Sequence, residues 1–226
     1  MNETFNNIYL PCVEPLLDTW GVTKRGGDWS ITPSDDLSNT SVEERNTWYA
    51  QAMMSTIEAF SSLARVYIVS FEPVSRESEI GSKTLKWDLE EPYKNYLENV
   101  YEAVKNYPVD IYILYVRLDF FVYVRTEKSP DKPIRSWIRK CSDFYNVADI
   151  HISIEHLLNY EPDLSLIMNH TLFYPDSWID QIDNTELFKL NRPLLEEALK
   201  NWEQKFDAEI ETDGLPQIYK YGFLPY

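Results

Sequence analysis

The stretch from Val109 to Thr126, VDIYILYVRLDFFVYVRT, constrains the fold more than any other part of the chain. Its even positions from 112 onward, Tyr112, Leu114, Val116, Leu118, Phe120, Val122 and Val124, make an unbroken apolar row at a period of two. The odd positions start apolar at Val109, Ile111 and Ile113, then turn mixed at Tyr115, Arg117, Asp119, Phe121, Tyr123 and Arg125. Alternating β-branched and aromatic residues at that period mark a strand with one buried face. No Gly, Pro or Asn interrupts the run, so it lacks the chemistry of a tight turn. The expectation is one long strand with a core face and a second face that becomes polar midway.

Other segments supply the cover. Ser41-Val42-Glu43-Glu44 matches a capping box, and Tyr49, Ala52, Met53, Ile57, Phe60, Leu63 and Ala64 follow at helical spacing, which predicts a helix over 42–64. A short strand over 65–72 is closed by Pro73, and 74–90 reads as a polar loop. Tyr93, Tyr96, Leu97, Val100, Tyr101 and Val104 predict a helix over 92–107 that Pro108 stops. Strand, helix and strand with short joins form a βαβ unit, so 65–72 and 109–126 are expected to run parallel. Ile134, Trp137, Ile138 and Cys141 suggest a helix over 134–142 with Arg135, Arg139 and Lys140 outside. Strands follow over 147–156, with Ala148, Ile150, Ile152 and Ile154 inward, and over 164–174 as its antiparallel partner. A short helical turn is expected at Asp176–Ile182. Asn191 is read as the cap of a helix over 192–207 with Pro193 in its first turn.

Residues 1–40 read as an irregular lead segment anchored by Trp20 and Trp29, with Gly26-Gly27 in a loop, and 210–226 as an aromatic tail that packs back. No internal repeat or linker divides the 226 residues. The expected fold is therefore one α/β or α+β domain, a mixed sheet of four or more strands with helices mainly on one face.

Charge narrows the function classes. With 37 acids against 21 bases the net charge is −16, which makes nucleic acid and anionic membranes poor partners. Residues 141–226 hold 16 acids and 5 bases, so the negative charge concentrates in the last third. Six glycines in the chain leave no GxGxxG or GxxxxGK[ST] loop for phosphates, and no cofactor is expected. Cys12 and Cys141 have no ligand or redox spacing and read as reduced thiols. The N-terminus lacks the basic start and apolar run of a secretory leader, and no window is apolar enough to span a membrane; the expected setting is cytoplasmic.

Two places carry chemistry. On the 147–156 strand, Asp149, His151, Ser153 and Glu155 share one face at about 6.5–7 Å spacing, and Arg117, Asp119, Arg125 and His170 are candidates to join them. Carboxylates beside an imidazole are the raw material of acid–base work, and Asp149 with His151 of metal binding. A solvated or partner-binding sheet face accounts for the same pattern, and no HExxH, GxSxG or deaminase spacing is present. His156, in phase with Ile150, Ile152 and Ile154, and His170, following Leu166 and Met168, read as structural histidines.

The second place is the acidic and aromatic last third. Tyr174, Asp176, Trp178, Asp180, Asp183 and Glu186 interleave rings with carboxylates, and Tyr219 and Tyr221 follow beside further acids. Aromatic anchors ringed by charge suit a protein interface, and opposite charge speeds encounter. In charge, size and lack of a catalytic motif the chain resembles small acidic single-domain proteins that neutralise a toxin or enzyme, such as bacterial immunity proteins. That resemblance implies an inhibitor-like module for a basic protein and carries no site residue. The alternative is a metal-assisted hydrolase or nucleotide-processing enzyme built on Asp149, His151, Glu155 and Asp119.

Overall fold

The computed structural model describes residues 12–13, 27–75, 80–139, 147–155, 160–168, 172–173, 184–212 and 218–223. The long apolar stretch is one strand, β4 (Ile111–Thr126). Leu114, Val116, Leu118, Phe120, Val122 and Val124 are all buried, whereas Tyr112 is 52% exposed. The row starts at Leu114 because β4 pairs with β2 (Ala64–Pro73) through a register shift at Glu72/Pro73. A bulge of this kind changes which residues face inward, and Ile111 is buried instead of Tyr112.

The expected parallel pairing of these two strands is corrected: β2 and β4 are antiparallel. The reason lies in the segment read as a loop. It contains β3 (Lys83–Lys86), which pairs antiparallel with β2. That one extra reversal, before helix α2 (Tyr93–Lys105), inverts the direction in which β4 arrives. KTLK offers a single apolar residue, and its burial is that of an exposed edge strand, so hydrophobic periodicity carried no signal for it.

Residues 134–138, expected in a helix, belong to β5 (Ser129–Ile138), which returns antiparallel along the second half of β4. Trp137 and Ile138 are both buried, but on opposite faces, opposite Phe121 and Phe120. Burial on both faces imitated helical spacing. Cys141 lies outside the described residues, as does the expected turn at 176–182.

Two further strands, β6 (Ala148–Ile154) and β7 (Pro162–Met168), form the expected antiparallel pair, and β7 ends short of the expected 174. Beyond β7 the lead segment contributes a strand where an irregular loop was expected. This is β1 (Gly27–Ile31), which lies between β7 and β8 (Ile210–Thr212). Trp29 within it is fully buried. A Cβ at Gly27 would stand 2.4 Å from the Trp29 ring and 2.9 Å from Phe223, so this close approach requires glycine. The eight-stranded sheet runs β3-β2-β4-β6-β7-β1-β8, with β5 on β4, and among the described residues every pairing is antiparallel rather than mixed.

Helix α1 (Val42–Ala59) opens on the capping box: the Glu44 amide donates to Ser41 Oγ at 3.2 Å and the Ser41 amide to Glu44 Oε2 at 2.7 Å. Helix α3 (Thr185–Phe206) begins a full turn and more before the expected 192. Asn191 is thus no cap. It is buried inside the helix, accepts the Tyr123 amide at 2.7 Å and donates to the Tyr123 carbonyl at 2.9 Å. A side-chain amide here takes the place of a neighbouring strand and closes the free edge of β4. The short hairpin of β9 (Ile218–Tyr219) and β10 (Gly222–Phe223) packs back from the tail, with Phe223 edge-on to Trp29. The inward residues of the sheet, Tyr49 and Met53 of α1, Val100 and Val104 of α2, and Leu195, Leu199 and Trp202 of α3 share one core. The whole is one α+β domain with helices partly on one side of the sheet.

Candidate functional site

The face of the sheet turned away from that core carries the polar residues. Strand register sets them in transverse rows, because directly opposed residues lie about 4.5–5.5 Å apart. One row crosses all seven strands of the main path: Glu211, Ser30, Ser165, His151, Tyr115, Ser70 and Thr84. The next row holds Asp28, Ile167, Asp149, Arg117, Ile68 and Lys86. A third, on the other side of the first, holds Asp163, Ser153, Ile113 and Glu72.

Charge on this face is divided by strand. β6, β7, β1 and β8 contain no Lys or Arg, and their acids Asp149, Asp163, Asp28 and Glu211 each stand between inward-facing neighbours, so all four share the outer face. Loss of solvent around its carboxyl, and then the charge of Glu211, push Asp163 above the usual aspartate value. On the other side of the β4–β6 boundary bases predominate: Arg65 on β2, Lys86 on β3, Arg117 on β4 and Arg135 on β5.

At the far end of that basic half lies a buried ionic cluster. Asp119 is fully buried; its Oδ1 accepts from Arg139 Nε at 2.9 Å, and its Oδ2 accepts from Arg139 Nη2 and Arg65 Nε, both at 3.0 Å. The Arg65 guanidinium lies over the rings of Trp137 at 4.1 Å and Trp87 at 5.0 Å, and Arg139 over Tyr67 at 4.5 Å. Cys12 Sγ is 3.7 Å from Arg65 Nη2, and burial, followed by the charge of Asp119, pushes its thiol up to about 11. Hydrogen bonds to Asp119 hold Arg139 above its usual value. Delocalised guanidinium planes suit this stacked, bidentate role.

The expected site residues fall as follows. Asp149 faces Arg117 at 3.6 Å, and His151 meets the Tyr115 ring edge-on at 4.8 Å. Glu155 is exposed just past the end of β6, its amide donating to the Glu161 carbonyl at 2.9 Å. Asp119 is drawn into the arginine cluster, away from His151. Among the described residues no three His, Cys, Asp or Glu gather as metal ligands. His156, His170, Tyr174, Asp176, Trp178, Asp180 and Asp183 lie outside the described residues. Glu186 pairs with Arg125 at 2.7 Å. The Tyr219 carbonyl accepts from the Trp29 indole at 3.1 Å and its hydroxyl from Arg192 at 3.2 Å, while Tyr221 donates to Glu203. Lys220 bridges Glu203 at 2.6 Å and Glu209 at 3.0 Å, so both tyrosines help fasten the tail hairpin.

Arg65, Trp87, Trp137 and Arg139 were not expected around Asp119. A signal was present: Arg135, Trp137 and Arg139 alternate at a period of two. Comparison with family models, with curated proteins and with solved structures finds no match to this chain.

Proposed function

We propose that this protein is a non-catalytic binding module that takes a basic protein on its acidic side. The observation that supports the reading is the run of four adjacent strands, β6, β7, β1 and β8, without a single Lys or Arg and with its acids on one face. It stands within a chain of net charge −16 whose last third is the most acidic part. The expected Asp176, Asp180 and Asp183 fall in that last third and add to its negative charge. Inhibition of a toxin or enzyme, in the manner of an immunity protein, is the finer form of this proposal, and a cytoplasmic setting goes with it.

The test begins with capture of a partner from the native cell extract at low salt, followed by purification of that partner. The association rate should then fall as salt rises, since charges are screened beyond about 10 Å at 0.1 M. Reversing Asp163 and Glu211 to Lys should slow association about tenfold or more. A partner that is not basic, or association indifferent to both salt and the reversals, removes this reading.

A further inference from the structure

The row that crosses the sheet next to His151 reads Asp28, Ile167, Asp149 on one side of the β4–β6 boundary and Arg117, Ile68, Lys86 on the other. Taken outward from the boundary, this is acid, isoleucine, acid against base, isoleucine, base. The adjacent row repeats the symmetry in neutral form: His151 against Tyr115, Ser165 against Ser70, Ser30 against Thr84. A two-fold axis lying in the face, parallel to the strands and above the β4–β6 boundary, exchanges the two halves. We propose that this face docks on a second copy of the same chain, forming a two-fold dimer in which sheets stack outer face to outer face.

Each copy then sets Arg117 over Asp149, Lys86 over Asp28 and Ile68 over Ile167 of the other. Sheets pack face to face at about 10 Å, within reach of side chains from both. A two-fold interface must be self-complementary, residue i meeting j and j meeting i, and a face with opposite signs in its two halves meets that condition. Arg117 and Asp149 already lie 3.6 Å apart within one copy, so the axis brings two such pairs into one four-charge network. The third row has the opposite consequence. It sets Asp163 of one copy over Glu72 of the other, a like-charge contact that works against the dimer. The second copy is favoured over a foreign partner because both signs and both apolar positions are matched from one sequence. The dimer covers Asp28 and Asp149, part of the acidic side given above to a basic partner, so the two compete for it, and this inference does not rest on that reading.

Sedimentation velocity on the full chain tests it. The wild type should show a monomer–dimer equilibrium at low salt that shifts to monomer at high salt. The double variants Lys86→Glu/Arg117→Glu and Asp28→Lys/Asp149→Lys should each raise the dimer dissociation constant by about tenfold or more. Mixed in equal amounts, the two variants should form a heterodimer, which also shows that both remain folded. Glu72→Lys should tighten the wild-type dimer severalfold. A chain monomeric at every concentration at low salt, a dimer unmoved by the reversals, or reversed forms that fold but fail to pair with each other overturns the proposal. A strictly monomeric chain leaves the basic-partner reading standing.

Discussion

Asp119 is held from two sides by arginines and is sealed under aromatic rings, and its energetics are those of a buried ion cluster. Desolvating three charges is costly, and their mutual attraction repays it only while every partner is in place. Asp119→Ala leaves two guanidiniums facing each other with no carboxylate between them, and should cost about 3–5 kcal/mol in urea unfolding. Replacing the group together, Arg65→Met, Asp119→Leu and Arg139→Met, should recover much of that loss, because apolar residues of similar size need no partners. If Asp119→Ala alone is as stable as the wild type, the cluster does not hold β2, β4 and β5 together. The sequence marked Asp119 as a polar residue on a mixed face. It did not mark the residue as buried, because the cover comes from Arg65 and Trp87, far away in the chain, and from a segment read as helix.

Among the elements, the relation of α3 to β4 is the clearest case of a side chain doing what a strand does elsewhere. Tyr123 points its amide and carbonyl away from β5, and Asn191 meets both. Asn191→Leu should leave two buried backbone groups without partners, at about 1–3 kcal/mol each. The Tyr123 amide should also exchange its hydrogen much faster than its neighbours. Unchanged stability together with slow exchange at Tyr123 would mean that another group closes this edge. Long periodic segments were legible here: β4, α1, α2 and β6 are each several turns or pleats of one pattern, and local chemistry such as the Ser41–Glu44 box fixed an end. Short elements were not. β3, β8 and β1 are five residues or fewer, too short for a period to show, and they are stabilised by neighbours from distant parts of the chain. Since β3 decides the direction of β4, one unreadable element of four residues reversed the expected topology. The polar row on β6 was legible as a row, whereas its charge complement across β4 and β3 depends on strand order, which periodicity does not encode.

At the scale of the whole molecule, burial of tyrosine hydroxyls ties stability to pH on the alkaline side. Burial is the first cause in each case: it pushes Tyr67 up to about 12 and Cys12 to about 11, and holds Tyr49, Tyr93 and Tyr96 well above the ordinary tyrosine value of 10.0. Tyr93 is also fixed by its contacts, since its hydroxyl accepts the Val66 amide at 2.8 Å and its ring packs 4.8 Å from Trp87. A group whose pKa is raised on folding binds its proton more tightly in the native state. Its contribution is fully present below the unfolded value and is lost as pH rises through the folded one. For these groups the loss begins near pH 9 to 10, where the unfolded thiol and phenols ionise, and continues through about 12 as Tyr67 follows. Urea midpoints read by tryptophan fluorescence should therefore be level up to about pH 9 and fall steadily above it. Absorbance titration of the phenols should show the buried group ionising only as the protein unfolds. Tyr67→Phe and Tyr96→Phe should each flatten the alkaline fall, since the variant has no proton to lose. Tyrosines that all titrate near 10 while the urea midpoint stays constant would show that these hydroxyls are not buried in solution.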